Sequence, residues 1–580
     1  MNTKNYIIYV LSVMCGILVL SSCSDFFDPK TDDEFDASAG YTSNTEMYTG
    51  FLGIMTKVQA IGDKEILLTE TRGELIEPSD ESLSDLISIY QYEPNLQDNS
   101  YANPDGYYEV IIACNDYLNA MSKYRSNPNV NEEAWNALVA SAVRVKVWTY
   151  KTLAEIYGQA IWFDHPVTSV TDINTDERFQ LLQLPQLIDK CLNYLIQGYE
   201  GAPSNININW YEWLDPTHSE SITNSQYRKW NYMVPAYAGL FAELNLWKGA
   251  VADSQGQDAT SYYQVAADTL LIALGGAINV TSNPGSNVEW LPSAATPGHY
   301  SPIWNNTIPY RFEAVSAIIY DYTKNQTNTL LKHFSNEFPN KYLLRPSEAG
   351  VARFLDTNFN PGATTNDTRY KCCFGRNAGQ VYLSKYRPVG STARANAYQD
   401  DCHIYFYRAT QYHMMLAEAL NHLKRFKAMN AVFNSGVKNG TTDDCFQAGM
   451  PEWKGFESTI DPTKCDWTQD ANFGTRTYPS MGLRCCFGLT ARPVKTDVFE
   501  LGEQGTLRFN DLAMLDEAML EFAGEGKVYP MMNRMAVRYN DPSIVADRVC
   551  GKYADAGLAS TVRSRIMAGA YWVPFNLKQN

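Results

Sequence analysis

Apolar residues recur at helical spacing in several separate blocks of this chain. Such spacing places one apolar stripe along each predicted helix, which is typical of helices that pack on a shared core. Alternation of apolar and polar residues, the mark of half-buried strands, is scarce. The pattern therefore predicts an all-α fold, with helices over 46–61, 106–124, 133–157, 181–198, 232–248, 261–275, 404–423, 425–437 and 510–524.

Two blocks, at 237–274 and 404–437, each predict a pair of helices joined by a turn. Such pairs are typical of tetratricopeptide repeats, although an unrelated helical hairpin explains either pair alone equally well. Long stretches rich in Gly, Pro, Asn and Thr separate the helices, notably 276–310, 356–402 and 439–508. Because loops on a rigid scaffold commonly carry binding surfaces, we expect a helical scaffold with a loop-rich binding side.

Residues 1–22 have the organisation of a signal peptide, in which Lys4 precedes an apolar run over 6–20. The run is shorter than the about 20 residues that a membrane-spanning helix needs. Two serines followed by Cys23 resemble the processing site of a bacterial lipoprotein, where Cys23 would be acylated and would begin the mature chain. The alternative is an ordinary secretory signal in which Cys23 is incidental.

Residues 23–39 are acidic and lack a regular apolar pattern, so we expect a tether between the lipid and a folded domain at 40–580. The formal charge of −17 disfavours nucleic acid as a partner, because phosphate backbones would be repelled. The chain contains 38 Tyr and 12 Trp, whose rings combine an apolar face with a polar group. Surfaces that bind sugars or peptides require that combination. The 12 cysteines leave disulfides and buried thiols both open.

No sequence motif indicates catalysis or a metal site. The seven histidines form no His-Glu-x-x-His motif and no pair spaced to share one helix face. Cys402 and His403 are neighbours, but adjacent side chains point apart, so we expect packing rather than a catalytic pair. Since a glycosidase needs only two carboxylates, a surface glycoside hydrolase stays open as an alternative of a different class.

Four segments resemble the SusD/RagB outer-membrane lipoproteins of Bacteroidetes, and they occur in the order of that family. Residues 408–421 are similar to its "R-x-A-E-x-x-L-M-x-A-E-A-L-N" helix, and 521–527 to its "E-F-x-x-E-G-x-R" signature. Residues 107–115 are similar to its early aromatic helix, and 146–158 to the helix that ends in Tyr-Gly. The resemblance covers most of the mature chain.

The resemblance implies a SusD-like domain over 40–580 that binds a glycan on tetratricopeptide-like helix pairs with a loop-rich side. It further implies a lipid-anchored protein on the extracellular face of the outer membrane, which delivers the glycan to a SusC-like TonB-dependent transporter. Neither catalysis nor a cofactor is implied, and a structural calcium ion stays open. A peptide-binding lipoprotein of the RagB kind is the alternative within the same family.

Aromatic residues in the predicted loops are the candidates for ligand contact, because the C–H faces of sugar rings stack on aromatic rings. A ring pinned under its own loop is the alternative for each of them. A further aromatic group lies at 210–213, whereas Trp148 and Trp247 fall within helical patterns and are predicted to be core. The predicted contacts are Trp290, Trp304 and Tyr300 within 281–310, and Tyr90 and Tyr92 in the stretch before the early helix.

Overall fold

The computed structural model describes most of the chain beyond the predicted tether. The described residues are 40–167, 179–197, 233–275, 302–305, 314–363, 368–387, 400–435, 452, 456, 483–484 and 490–575. The predicted signal peptide, Cys23 and the acidic tether lie outside them.

Helices account for most of the described residues, so the predicted all-α class is confirmed. In chain order they are α1 (Asn44–Arg72), α2 (Ser84–Tyr90), α3 (Asp105–Tyr124), α4 (Glu132–Tyr157), α5 (Leu184–Gln197), α6 (Tyr237–Ser254), α7 (Thr260–Gly275), α8 (Pro302–Asn305), α9 (Leu330–Phe334), α10 (Glu348–Arg353), α11 (Thr368–Cys373), α12 (Ala409–His422), α13 (Phe426–Asn430), α14 (Gly502–Glu521), α15 (Val528–Arg538), α16 (Ser543–Val549) and α17 (Ala556–Arg565).

Local chemistry explains where the long helix α4 begins and ends. The side chain of Asn131 accepts a hydrogen bond from the backbone N–H of Ala134 at 3.1 Å, which satisfies one of the first free amides. Gly158 ends the helix at φ 70°, a left-handed conformation that costs glycine little. A Cβ at Gly158 would lie 2.8 Å from the ring of Trp572, so the close approach also requires glycine.

The helices form one continuous scaffold. α6 packs against α7, α7 against α12, and α12 against α14, while α3 and α4 connect α1 to α5. Helix α15 contacts α6, α14 and α1 and is buried along nearly its whole length. Trp148 and Trp247 are 4% and 0% exposed, which confirms them as core residues.

The strands of the described residues pair into four antiparallel two-stranded sheets. The pairs are β1 (Ile76–Pro78) with β5 (Leu344–Pro346), β2 (Gln159–Trp162) with β3 (Gln180–Gln183), β4 (Ala314–Ile318) with β8 (Ile404–Arg408), and β6 (Phe374–Asn377) with β7 (Gln380–Leu383).

Two predicted helices begin later than expected because their first residues form strands. The helix predicted over 181–198 begins at Leu184, because 181–183 belong to β3. Strand β8 corrects the start of the helix predicted over 404–423. The prediction began that helix at 404, but 404–408 pair with β4 and α12 begins at Ala409. Every residue of β8 is buried, so no apolar and polar alternation distinguishes it from a buried helical turn. Its aromatic and β-branched residues favour a strand. The predicted pair at 237–274, by contrast, is confirmed as α6 and α7.

Two of the family-like segments meet in the core through buried ion pairs. Arg408, at the start of the 408–421 segment, donates from Nη2 to Glu521 Oε1 at 2.9 Å and from Nε to Glu525 Oε2 at 2.8 Å. Glu418 accepts two hydrogen bonds from Arg534, at 2.9 and 2.6 Å. The Arg408 pairs connect the 408–421 segment to the 521–527 segment, and the Glu418 pair connects α12 to α15. Both segments are therefore structural elements of the scaffold.

Four cysteines of the described residues are buried thiols: Cys114, Cys191, Cys373 and Cys402. Burial raises the pKa of the Cys114 thiol to about 12 and that of Cys373 to about 11. Such thiols stay protonated and unreactive at neutral pH.

Candidate ligand-binding site

Trp304 is enclosed by the scaffold and does not offer a face to a ligand. The residue is 1% exposed, and its ring meets the edge of Tyr386 with the ring centroids 6.4 Å apart. Lys385 Nζ lies 4.7 Å from the centroid of the Trp304 ring, within range of a cation–π contact. The prediction that Trp304 stacks on a sugar is therefore wrong, and its side chain belongs to the core.

Tyr92 is also buried, at 1% exposure. The guanidinium carbon of Arg72 lies 3.8 Å from the centroid of the Tyr92 ring, and the Tyr92 hydroxyl donates to the Arg72 carbonyl at 2.6 Å. Burial raises the pKa of the Tyr92 hydroxyl well above its ordinary value. Tyr92 thus fastens its loop to the end of α1, and its predicted ligand contact is wrong.

Tyr90 is partly exposed, so its predicted role remains open. Its ring lies against Tyr553, with the ring centroids 4.6 Å apart, and Lys552 Nζ lies 4.7 Å from the Tyr90 centroid. Tyr553 also donates from its hydroxyl to the Tyr90 carbonyl at 2.6 Å. Part of the Tyr90 surface is therefore already covered by Tyr553 and Lys552.

The other predicted contacts, Trp290 and Tyr300, lie outside the described residues, and so does the aromatic group at 210–213. Their predicted roles stay predictions.

Tyr101 lies in the same stretch of chain as Tyr90 and Tyr92, is partly exposed, and contacts helix α9. Its hydroxyl lies 2.9 Å from Nε2 of His333 on α9, and its ring meets the His333 ring edge-on, with centroids 5.6 Å apart. The next residue of α9, Phe334, stacks on Tyr386, which in turn contacts Trp304. Helix α9 therefore lies between the stretch that precedes α3 and the stretch that contains Trp304.

Short polar groups accompany Tyr101. Asn103 donates from Nδ2 to Asp105 Oδ2 at 2.8 Å, and Lys64 Nζ on α1 lies 3.5 Å from Asn103 Oδ1. None of these residues is buried. We refer to Tyr101, Asn103, Asp105 and Lys64 together as the Tyr101 rim.

The loop that carries Tyr101 is held in place by its own hydrogen bonds. Asn99 Oδ1 accepts from the backbone N–H groups of Tyr101 at 3.0 Å and Ala102 at 3.1 Å, while Asn99 Nδ2 donates to the Asp85 carbonyl at 2.7 Å. Tyr157 on α4 donates to the Ala102 carbonyl at 2.7 Å. A binding face fixed in advance loses little conformational entropy when a ligand binds.

Four residues around Tyr101 were missed from the sequence. Asn103 and Asp105 could have been suggested by the short polar residues that flank Tyr101 over 99–105. Lys64 and His333 carry no such local indication, because each comes from a separate helix that reaches the loop only through tertiary packing.

The arrangement offers an aromatic surface beside amide, carboxylate and ammonium groups, which suits a ligand with several hydroxyl groups. Over the part of the chain that the structure describes, no group of His, Cys, Asp and Glu residues could hold a metal ion. Among the described helices, none is both long and apolar enough to cross a membrane.

Comparison with solved structures identifies the fold. A SusD superfamily protein from Bacteroides vulgatus ATCC 8482 matches with a TM-score of 0.58 and 12% identity, over 93% of this chain and 96% of that chain. A SusD homologue from Bacteroides thetaiotaomicron VPI-5482 matches with a TM-score of 0.59 and 14% identity, over 92% and 95%. A laminarin-binding SusD-like protein matches with a TM-score of 0.52 and 14% identity, over 90% and 95%.

This protein therefore has the SusD-like fold along nearly its whole length, as the four resembling segments implied. No protein-family model matches the sequence, and no curated protein matches it. At these identities the likeness establishes the architecture alone.

Proposed function

We propose that this protein binds a glycan at the extracellular face of the bacterial outer membrane and delivers it to a SusC-like TonB-dependent transporter. The Tyr101 rim is the main support for glycan binding, because it presents an aromatic ring and hydrogen-bonding groups beside a loop that is held in place by its own hydrogen bonds. The SusD-like fold supports it, and one protein with that fold is described as laminarin-binding.

We expect the Tyr101→Ala variant to bind the glycan about tenfold more weakly or worse, because the lost ring face contributes roughly 1–3 kcal/mol of binding. Titration calorimetry measures this, with the glycan that binds wild type best. Tyr262→Ala is the matched control, since Tyr262 is a half-buried tyrosine on α7, a scaffold helix that packs on α6 and α12. Equal losses in both variants would remove Tyr101 from the site.

We further propose that the protein binds the glycan without hydrolysing it. One buried carboxylate, Glu418, is engaged by two cations, Arg534 and Arg538. The arginines hold the pKa of Glu418 down at about 2 against its burial, so the group stays ionised and cannot serve as a general acid. A glycoside hydrolase would need an accessible carboxyl that keeps its proton near neutral pH. Burial raises the pKa of Glu70 and that of Glu155 to about 7, but these side chains are only 6% and 1% exposed, so a glycan would not reach them.

The lipid anchor gives a separate prediction. We expect the Cys23→Ala variant to carry no acyl chain and to leave the cell surface, because stable attachment requires acylation at that residue. Labelling with a lipid probe and cell fractionation measure this. A Cys23→Ala protein that still takes up the probe and stays at the surface would contradict the lipoprotein assignment.

The transporter partner is tested independently of the ligand. Affinity purification of the native lipoprotein in mild detergent at low salt is expected to recover a large outer-membrane barrel with it. An asymmetric contact that opens on one edge suits a lid over the mouth of such a barrel. Recovery of the protein alone, at native expression, would argue against this partner.

A further inference from the structure

The contacts of His333 fix which of its ring nitrogens carries the proton. Nδ1 lies 2.7 Å from the carbonyl oxygen of Thr329, and a carbonyl only accepts hydrogen bonds, so Nδ1 is the protonated donor. Thr329 is itself anchored, because its N–H and its hydroxyl both donate to Asp63 Oδ2, at 2.7 and 2.6 Å. The carbonyl that selects the tautomer therefore cannot easily turn away.

The other nitrogen, Nε2, faces the hydroxyl of Tyr101 at 2.9 Å. Burial lowers the pKa of His333 below its ordinary 6.5, with Lys332 acting in the same direction and Asp63 opposing it. The ring is therefore neutral at pH 7, and Nε2 offers a lone pair. The Tyr101 hydroxyl must donate its proton to that lone pair.

We propose that His333 is a positioning residue that holds the Tyr101 proton in a hydrogen bond within the protein, so that Tyr101 offers a ligand only the lone pairs of its phenol oxygen. A sugar hydroxyl can donate to that oxygen, whereas a carboxylate or sulfate group cannot. Tyr101 thereby favours a neutral glycan over an acidic one. This inference rests on the proposed glycan-binding function and specifies its ligand class.

The charges around Tyr101 and His333 also disfavour an acidic glycan. Asp63 on α1 and Asp85 on α2 both raise the pKa of the Tyr101 hydroxyl, after burial, so the phenol keeps its proton. The exposed Asp105 adds a third carboxylate, while Lys64 and Lys332 supply the positive charges nearby. An anionic sugar approaching this surface meets more like charge than opposite charge.

The tautomer is measured on the free protein without any ligand. Nitrogen NMR of the mature protein labelled with ¹⁵N-histidine reports which ring nitrogen is protonated, and the spectrum of the His333→Gln variant identifies the signals of His333. We expect a protonated Nδ1 and a bare Nε2 at pH 7.5. A protonated Nε2 would overturn the inference, whether or not the protein binds glycans.

The ligand class is measured by calorimetry with named probes: laminarin, starch and xylan as neutral glycans, and alginate and polygalacturonate as acidic ones. Wild type is expected to bind a neutral probe at least about tenfold more tightly than either acidic probe. His333→Phe removes the acceptor and frees the Tyr101 proton, so this preference should shrink about three- to tenfold, the size of one hydrogen bond.

The His333→Gln variant separates positioning from packing, because a glutamine oxygen can still accept the Tyr101 proton. We expect it to keep the wild-type preference, while Tyr101→Phe weakens binding of the neutral probe and leaves the acidic probes unchanged. Thermal melts check that each variant is folded. The same preference in all four proteins would overturn the inference. A wild type that binds none of the five probes would instead contradict the proposed function, and the tautomer measurement would still decide the role of His333.

Discussion

Replacing Glu517 by Gln is expected to lower the free energy of unfolding by about 3–5 kcal/mol, because it removes the one negative partner that three buried arginines share. Glu517 Oε1 accepts from Arg369 Nη1 at 2.6 Å, and Oε2 accepts from Arg492 Nε at 3.0 Å and from Arg484 Nη1. All four side chains are at most 3% exposed. A neutral amide would remove the carboxylate that pairs with Arg484, and it would leave Arg369 and Arg492 with the more distant Glu521 and Asp516, at 3.6 and 3.5 Å.

Glu503→Gln is the matched control on the same helix, α14. Glu503 pairs with Lys424 at 2.7 Å, but the two side chains are 46% and 54% exposed, so its loss should change stability by less than about 1 kcal/mol. Denaturant unfolding of both variants measures the difference. Equal, small effects would mean that the arginine cluster does not depend on Glu517.

Low pH is expected to destabilise the same cluster of Glu517 and its three arginines. The arginines hold the pKa of Glu517 below its ordinary 4.5 in the folded protein, despite its burial. Its contribution to stability is therefore complete above pH 4.5 and decreases as the pH falls below that value. The wild type should lose stability in this range, and the Glu517→Gln variant should lose less of it.

Trp304→Ala is expected to lower the free energy of unfolding by about 3–5 kcal/mol, as truncation of a buried tryptophan does. The change would open a cavity beside Tyr386 and remove the ring on which Lys385 packs. Thermal or denaturant unfolding measures the loss. Glycan affinity of the fraction that stays folded should be nearly unchanged, because the ring is 1% exposed.

Phe499→Ala is the control for Trp304→Ala, since Phe499 is 91% exposed and its truncation should change stability by less than about 0.5 kcal/mol. A Trp304→Ala protein as stable as wild type, with a selective loss of glycan affinity, would restore the sugar-stacking role first predicted for Trp304.

Much of the scaffold could be predicted from the sequence, because amphipathic helices such as α3 and α5 keep one apolar stripe. Helix α15 could not be predicted in this way. It is buried nearly all round, and it carries Asn533, Arg534 and Arg538 into the core, where ion pairs and hydrogen bonds satisfy them. Such polar residues interrupt the apolar period on which the prediction depends.

The candidate site was predictable only in part. Aromatic crowding pointed to the stretch of chain before α3 that carries the candidate site, but it could not distinguish buried Tyr92 from partly exposed Tyr101. Arg72 engages the Tyr92 ring from 20 residues away, and His333 engages the Tyr101 ring from 232 residues away, so no local pattern indicates either contact. Trp304 was misjudged for the same reason, because Lys385 and Tyr386 reach it only in the folded chain.

Incubation of the purified wild-type protein with a panel of glycans and peptides, laminarin included, tests the proposed function most directly. Binding is followed by calorimetry, and new reducing ends are assayed in the same samples. We expect saturable binding of at least one glycan, no binding of the peptides, and no new reducing ends. Binding of peptides alone would instead support a RagB-type role, and accumulation of reducing ends would show an enzyme.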